Sequence, residues 1–157
     1  MSEHLNTADL YDERGEDLES ISVQFQNFGG ESHFSGPART IRCFEDNALV
    51  KTVLATPGEG AVLVIDGQGS LRTALMGDLI AASAVANGWA GVIINGAVRD
   101  REALATLSLG IKALGSNPKK SAKTGVGEVD VEIVIDHVRI QPGVMVYSDP
   151  DGILVER

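Results

Sequence analysis

Apolar residues alternate with polar ones in some stretches, run together in others and recur at helical spacing in a few. Each habit predicts an element. Ile21 to Phe28 alternates, with Ile21, Val23 and Phe25 set against Ser22, Gln24 and Gln26, and predicts a strand. His33 to Phe44 predicts a second strand, with Gly36-Pro37 as a break or edge feature. Ala61 to Ile65, AVLVI, is a continuous apolar run and predicts a strand buried on both faces. Ala90 to Ile94 predicts another, broken by Asn95-Gly96, and Ile111 to Leu114 a further one. Towards the C-terminus, Val129–Ile135, Val138–Ile140, Val144–Tyr147 and Ile153–Val155 predict short strands. Their turns are Asp136-His137, Pro142-Gly143 and Asp149-Pro150-Asp151-Gly152. Helices are expected over Thr7 to Leu18 with Thr7 or Asn6 as cap, from Glu45-Asp46-Asn47 through about Leu54, from Asp78 to about Asn87, and over Arg101 to Leu107. Strands at both ends with βαβ character between them make an α/β fold. No repeat or linker divides the chain, so residues 1–157 are expected to form one domain.

Composition narrows the partners. The net charge is −9, and residues 1–60 hold 11 acids against 4 bases. Such a surface argues against direct nucleic-acid binding, which needs basic patches on phosphates, and permits a basic protein partner. The acids of the first helix, Asp9, Asp12, Glu13, Glu16 and Asp17, are read as a solvated face, with partner docking as the second reading. No apolar run approaches the roughly 20 residues that span a bilayer, so no membrane role is expected. The polar N-terminus resembles neither a signal nor a transit peptide, and Cys43 is the single cysteine, so a cytoplasmic location is expected. His4, His33 and His137 are scattered and share no metal-ligand spacing. Asp66-Gly67-Gln68-Gly69 resembles the opening of a dinucleotide fingerprint. However, Arg72 stands where the third glycine belongs and no acid lies about 20 residues on. It is read as a structural turn, with lining of a pocket as a second role. Gly115 to Glu128 is a polar loop carrying Lys119, Lys120 and Lys123. A surface loop is the first reading and a mobile basic lid over an anionic substrate the second.

The chemistry concentrates in Gly77 to Asp100, GDLIAASAVANGWAGVIINGAVRD. A helix from Asp78 to about Asn87 is roughly 15 Å long. A strand from Ala90 to Ile94 is roughly 17 Å. The near match returns the strand end beside the helix start, so Asp78, Arg99, Asp100 and the unpaired N–H groups of Gly77, Asp78, Leu79 and Ile80 can converge. A helix start suits a carboxylate or phosphate. Arg99 adds a fixed fork of donors. Asp78 and Asp100 are hard oxygen ligands for a divalent cation. The plainer alternative also stands: Asp78 as a helix cap, and Arg99-Asp100 as a solvated start to the next helix.

The segments QFQNFGG, CFEDNALVK, VLVIDGQGSLRTALMGD, GWAGVIINGAVRD, LGIKALGSNP, GVGEVDV and YSDPDGILV span nearly the whole chain. Together they resemble the RraA (regulator of ribonuclease activity A) family, and within it the class II 4-hydroxy-4-methyl-2-oxoglutarate aldolases. Aldolase-competent members carry an acid, about twenty residues and then Arg-Asp, matched here by Asp78, Arg99 and Asp100. The resemblance implies a swivelling β/β/α-type single domain, a homotrimer with sites between subunits, and a small oxo-acid substrate. It implies that the backbone of Gly77, Asp78, Leu79 and Ile80 holds the substrate, that Arg99 contacts the keto or enolate oxygen, that Asp100 ligates Mg²⁺ or Mn²⁺, and that Asp78 orients a water on the metal. It implies oxaloacetate decarboxylation as a second activity. The alternative function is that of the founding regulators, which bind and inhibit an RNase E-type endoribonuclease. Some family sequences carry a menaquinone methyltransferase label; this chain has no methyl-donor glycine motif, so that activity is not expected.

Overall fold

The computed structural model describes residues 6–157; His4 lies outside them. Helix α1 (Thr7–Arg14) starts on Asn6, whose side chain accepts the Asp9 N–H at 3.0 Å, and passes through a 3₁₀ turn to β1 (Leu18–Ser20). Then come β2 (Gln26–Asn27), β3 (Phe34–Arg42), α2 (Ala48–Leu54) and β4 (Val62–Asp66). The middle of the chain holds β5 (Ala74–Met76), α3 (Asp78–Ala86), β6 (Gly91–Val98), α4 (Arg101–Leu104) and β7 (Gly110–Ser116). The C-terminal part adds β8 (Glu128–Val129), β9 (Ile133–Ile135), β10 (Val138–Ile140), β11 (Met145–Asp149) and β12 (Gly152–Glu156).

Among the described residues, ten strands form one mixed sheet ordered β1-β12-β11-β3-β4-β6-β7-β2. β5 lies beside β6 and β8 beside β3, while β9 and β10 pair separately. Strands β3, β4, β6 and β7 are parallel, so their carboxyl ends share one edge. The apolar run of β4 is explained by two cores. Leu63 and Ile65 face Val50, Val53 and Leu54 of α2 and Ala81 and Ala84 of α3. Val62 and Val64 face Ile133 and Ile135 of β9, Val138 and Ile140 of β10, and Val146 of β11. Helices, sheet and a second β layer thus give the β/β/α arrangement of a mixed α/β fold.

Several elements differ from expectation. The first helix stops at Arg14, because Leu18 to Ser20 pair with β12 instead. The alternation of Ile21 to Phe28 reflects burial rather than a ladder: Ile21, Val23 and Phe25 pack on the second core, and only Gln26 and Asn27 pair, with β7. Gly36-Pro37 does not break β3. The strand changes partner there, from β11 along Phe34–Pro37 to β4 from Ala38 onward. Gly36 is required by close approach, since a Cβ would lie 2.1 Å from the Gly60 carbonyl oxygen. Val129 to Ile135 splits into β8 and β9 at Asp130, which has φ 56° and holds the Arg39 fork at 2.8 and 2.9 Å. The fourth helix ends at Leu104. Asn95-Gly96 does not end β6 either; it is a register irregularity inside a strand that runs on to Val98.

Candidate active site

The site is closed by β5, which the apolar pattern did not predict. Ala74 pairs with Ala97 and Met76 with Val98, in parallel, and the Arg99 N–H donates to the Met76 carbonyl at 3.0 Å. Parallel pairing sets the residues just past both strand ends side by side: Gly77-Asp78 after β5, and Arg99-Asp100 after β6. Convergence therefore follows from β5 and not from a short return strand. Asp100 takes a left-handed turn at φ 67°, a conformation aspartate tolerates better than most residues. The turn brings its carboxylate to the start of α3, where Oδ2 accepts the Asp78 N–H at 2.9 Å. Gly77 is the tight point. A Cβ there would lie 2.6 Å from Asp100 Oδ2 and 3.3 Å from Arg99 Nε, while its φ of −122° suits any residue.

Gly77, Asp78, Leu79, Ile80, Arg99 and Asp100 all line one cleft of about 610 Å³. It opens at the carboxyl edge of the parallel strands, where α/β sheets commonly bind ligands. The N–H groups of Leu79 and Ile80 fall in the first turn of α3, where no helical carbonyl precedes them. The Leu79 side chain is 82% exposed. Arg99 is half-buried and its Nη1 reaches the Pro118 carbonyl at a long 3.4 Å.

The remaining wall comes from α2 with Asn47 before it, from Ala74, and from Lys120 and Lys123. Lys51 and Thr52 of α2, with Lys120 and Lys123, line the cleft. Lys51 was missed by sequence reasoning. Its only signal was position: α2 follows β3, so its first turns stand at the same sheet edge as Arg99. The expected loop Gly115–Glu128 begins inside β7 and ends in β8, and the stretch between, which brings Lys120 and Lys123 to the cleft, is tied down rather than a free lid. The Ala74 N–H donates to Lys119 O at 2.8 Å, Ala122 N–H to Glu45 O at 2.9 Å, and Asn47 N–H to Ala122 O at 3.0 Å. Buried Ser121 donates to Ala74 O at 2.7 Å. Buried Asp46 accepts the N–H groups of Ala48 at 3.1 Å, Thr124 at 2.8 Å and Gly125 at 3.2 Å, together with the Thr124 hydroxyl. Burial pushes the Asp46 carboxyl up, but these donors outweigh it and hold the group at about 2, below its ordinary 3.8. The Asp66–Gly69 turn is not among the cleft residues. Asp66 Oδ1 accepts the Gln68 N–H at 2.9 Å and the Asn95 amide at 3.2 Å, closing a structural turn.

Among the described residues, no three His, Cys, Asp or Glu side chains gather as a metal cage. That donor set does not suit a closed zinc site. It suits Mg²⁺ or Mn²⁺, which bind through one or two carboxylates, with waters and substrate oxygens completing the shell. Asp100 has one oxygen on the Asp78 N–H and a second that can serve such an ion.

A family model described as RraA-like, Aldolase/RraA, matches residues 7–155. This chain belongs to the RraA-like family. Solved structures agree. One described as an S-adenosylmethionine:2-dimethylmenaquinone methyltransferase from Geobacillus kaustophilus HTA426 is 45% identical, with TM-score 0.95 over 97% of this chain and 94% of that one. The RNA-processing inhibitor RraA from Thermus thermophilis is 48% identical, with TM-score 0.93 over 98% and 93%. Streptomyces coelicolor RraAS2, described as an unusual member of the RNase ES inhibitor RraA family, is 27% identical, with TM-score 0.77 over 96% and 79%. The RraA-like fold is thus shared along nearly the whole chain, while the descriptions of its relatives span an enzyme and inhibitors of RNA processing.

Proposed function

We propose that this RraA-like protein is a divalent-metal-dependent carbon–carbon lyase. It would cleave 4-hydroxy-4-methyl-2-oxoglutarate to two pyruvates and decarboxylate oxaloacetate through the same pyruvate enolate. The observation that supports it most is Asp100, fixed on the α3 N-terminus by the Asp78 N–H and followed in space by Arg99 at one cleft. The Leu79 and Ile80 N–H groups in the first turn of α3 receive the carboxylate of the 2-oxo acid, the Asp78 N–H being held by Asp100. Arg99 directs its fork at the 2-oxo oxygen, where negative charge grows as the enolate forms. Asp100 would hold Mg²⁺ or Mn²⁺, which when bound supplies Lewis acidity at the oxo group. Water oriented by Asp78 takes the 4-hydroxyl proton. The O–H electrons form the new C4 carbonyl, the C3–C4 bond breaks, and its pair passes to the enolate. Protonation at C3 completes the second pyruvate. With oxaloacetate, CO₂ leaves from C3 and the same enolate results.

The test is pyruvate release from both substrates with Mg²⁺ and then with EDTA. Metal-dependent release is expected, and absence of release from either substrate sinks the reading. A homotrimer is part of the proposal; light scattering in solution should give three times 16.5 kDa. The second reading is a regulator of an RNase E-type endoribonuclease. It is favoured by 48% identity to an RNA-processing inhibitor and by the acidic first 60 residues. A pull-down on an RNase E-type scaffold at moderate salt tests it, and no capture counts against it.

A further inference from the structure

We infer that Lys51, Lys120 and Lys123 form a second carboxylate subsite, so that the cleft selects dianionic 2-oxo acids over monoanionic ones. The inference rests on the proposal that the α3 end of the cleft takes a 2-oxo acid. Its observations are separate from that end. The chain carries −9 overall, yet the cleft is lined by four cations, Lys51, Arg99, Lys120 and Lys123, against two anions, Asp78 and Asp100. A local reversal of sign concentrates small anions and repels cations. One anion of the pair, Asp100, is already engaged with the Asp78 N–H. Among the described residues, no carboxylate lies within ion-pair distance of Lys51, Lys120 or Lys123. Neighbouring Lys119 differs: it lines no part of the cleft, and its charge helps lower the Glu45 carboxyl.

The backbone carrying these lysines is held in place. Asp46 joins the start of α2, through the Ala48 N–H, to the loop at Thr124 and Gly125, so the stems of Lys51 and Lys123 leave from one hydrogen-bonded unit. The four donors on Asp46 engage its oxygens, and it makes no ion pair with these lysines. Asp46 is therefore a positioning residue. A cleft of about 610 Å³ has room for a five-carbon dicarboxylate.

The experiment is calorimetric titration, with Mg²⁺ present, of 2-oxoglutarate and 2-oxobutyrate. These share the 2-oxo-carboxylate head and differ in the distal carboxylate. The wild-type protein should bind 2-oxoglutarate at least about tenfold tighter, the effect of one charge-assisted contact. The triple variant Lys51→Met, Lys120→Met, Lys123→Met should lose that preference while 2-oxobutyrate affinity changes less than about twofold; the three surface substitutions should leave the melting temperature in place. Lys51→Arg with both loop lysines intact should keep the preference. A wild type without preference, a variant that keeps it, or equal loss for both ligands would overturn the subsite. The lyase reading fails separately. No pyruvate release alongside a lysine-dependent preference removes the lyase and leaves the subsite, and release with unchanged selectivity does the reverse.

Discussion

At Gly77 a single methyl group is enough to test the site geometry. Alanine there would press on the Asp100 carboxylate at 2.6 Å. Gly77→Ala should cost about 1–2 kcal/mol in denaturant unfolding. It should lower pyruvate release by about 100-fold, because small displacements of a positioned group are that expensive in rate. Asp46 makes a different prediction. Its folded value of about 2 lies below the ordinary 3.8, so its stabilisation is complete above about pH 4 and is lost as pH falls through 2. The shift corresponds to about 2 kcal/mol. Asp46→Asn should flatten the acid limb of the stability curve between pH 4 and 2, measured by urea unfolding. An unchanged limb would remove Asp46 from the account. Cys43 is buried, and its thiol is pushed up to about 12, by burial first and then by Asp46 and Asp66. A thiol-reactive dye should label it only after unfolding.

Among the elements, β5 decides how the site forms. Three buried residues, Ala74, Leu75 and Met76, carry too short a pattern to stand out from the loop before them. By contrast β4, with five buried residues, and α3, opened by glycine and closed near Asn87, were readable from the chain. So were the residues that meet at the cleft, Asp78, Arg99 and Asp100, because their types carry their chemistry whatever brings them together. Unreadable were the partner of Asp100, which depends on one left-handed turn, and the place of the loop lysines, which depends on Asp46 and Ser121 bonds across distant sequence. Ser121 links Thr73 at 2.7 Å and Ala74 O at 2.7 Å, holding that loop to β5. Ser121→Ala should lower stability by about 1–3 kcal/mol in thermal or denaturant unfolding, since it strips a hydrogen bond from a buried carbonyl. An effect below about 0.5 kcal/mol would mean that the loop is held elsewhere.

Over the whole molecule, a mixed sheet sandwiched between helices and a second β layer brings the ends of β5 and β6 and the start of α2 to one edge. An acidic body there presents a cleft of opposite sign. Other RraA-like chains share this frame, so the fold by itself does not separate a lyase from an inhibitor of RNA processing. The distinction rests on what Asp100 does. The most direct measurement is pyruvate release from 4-hydroxy-4-methyl-2-oxoglutarate by Asp100→Ala and wild-type protein, side by side in saturating Mg²⁺, with both melting curves recorded. The account predicts release by the wild type and at least about a thousandfold less by a variant that remains folded. Equal release by the two folded proteins would contradict it.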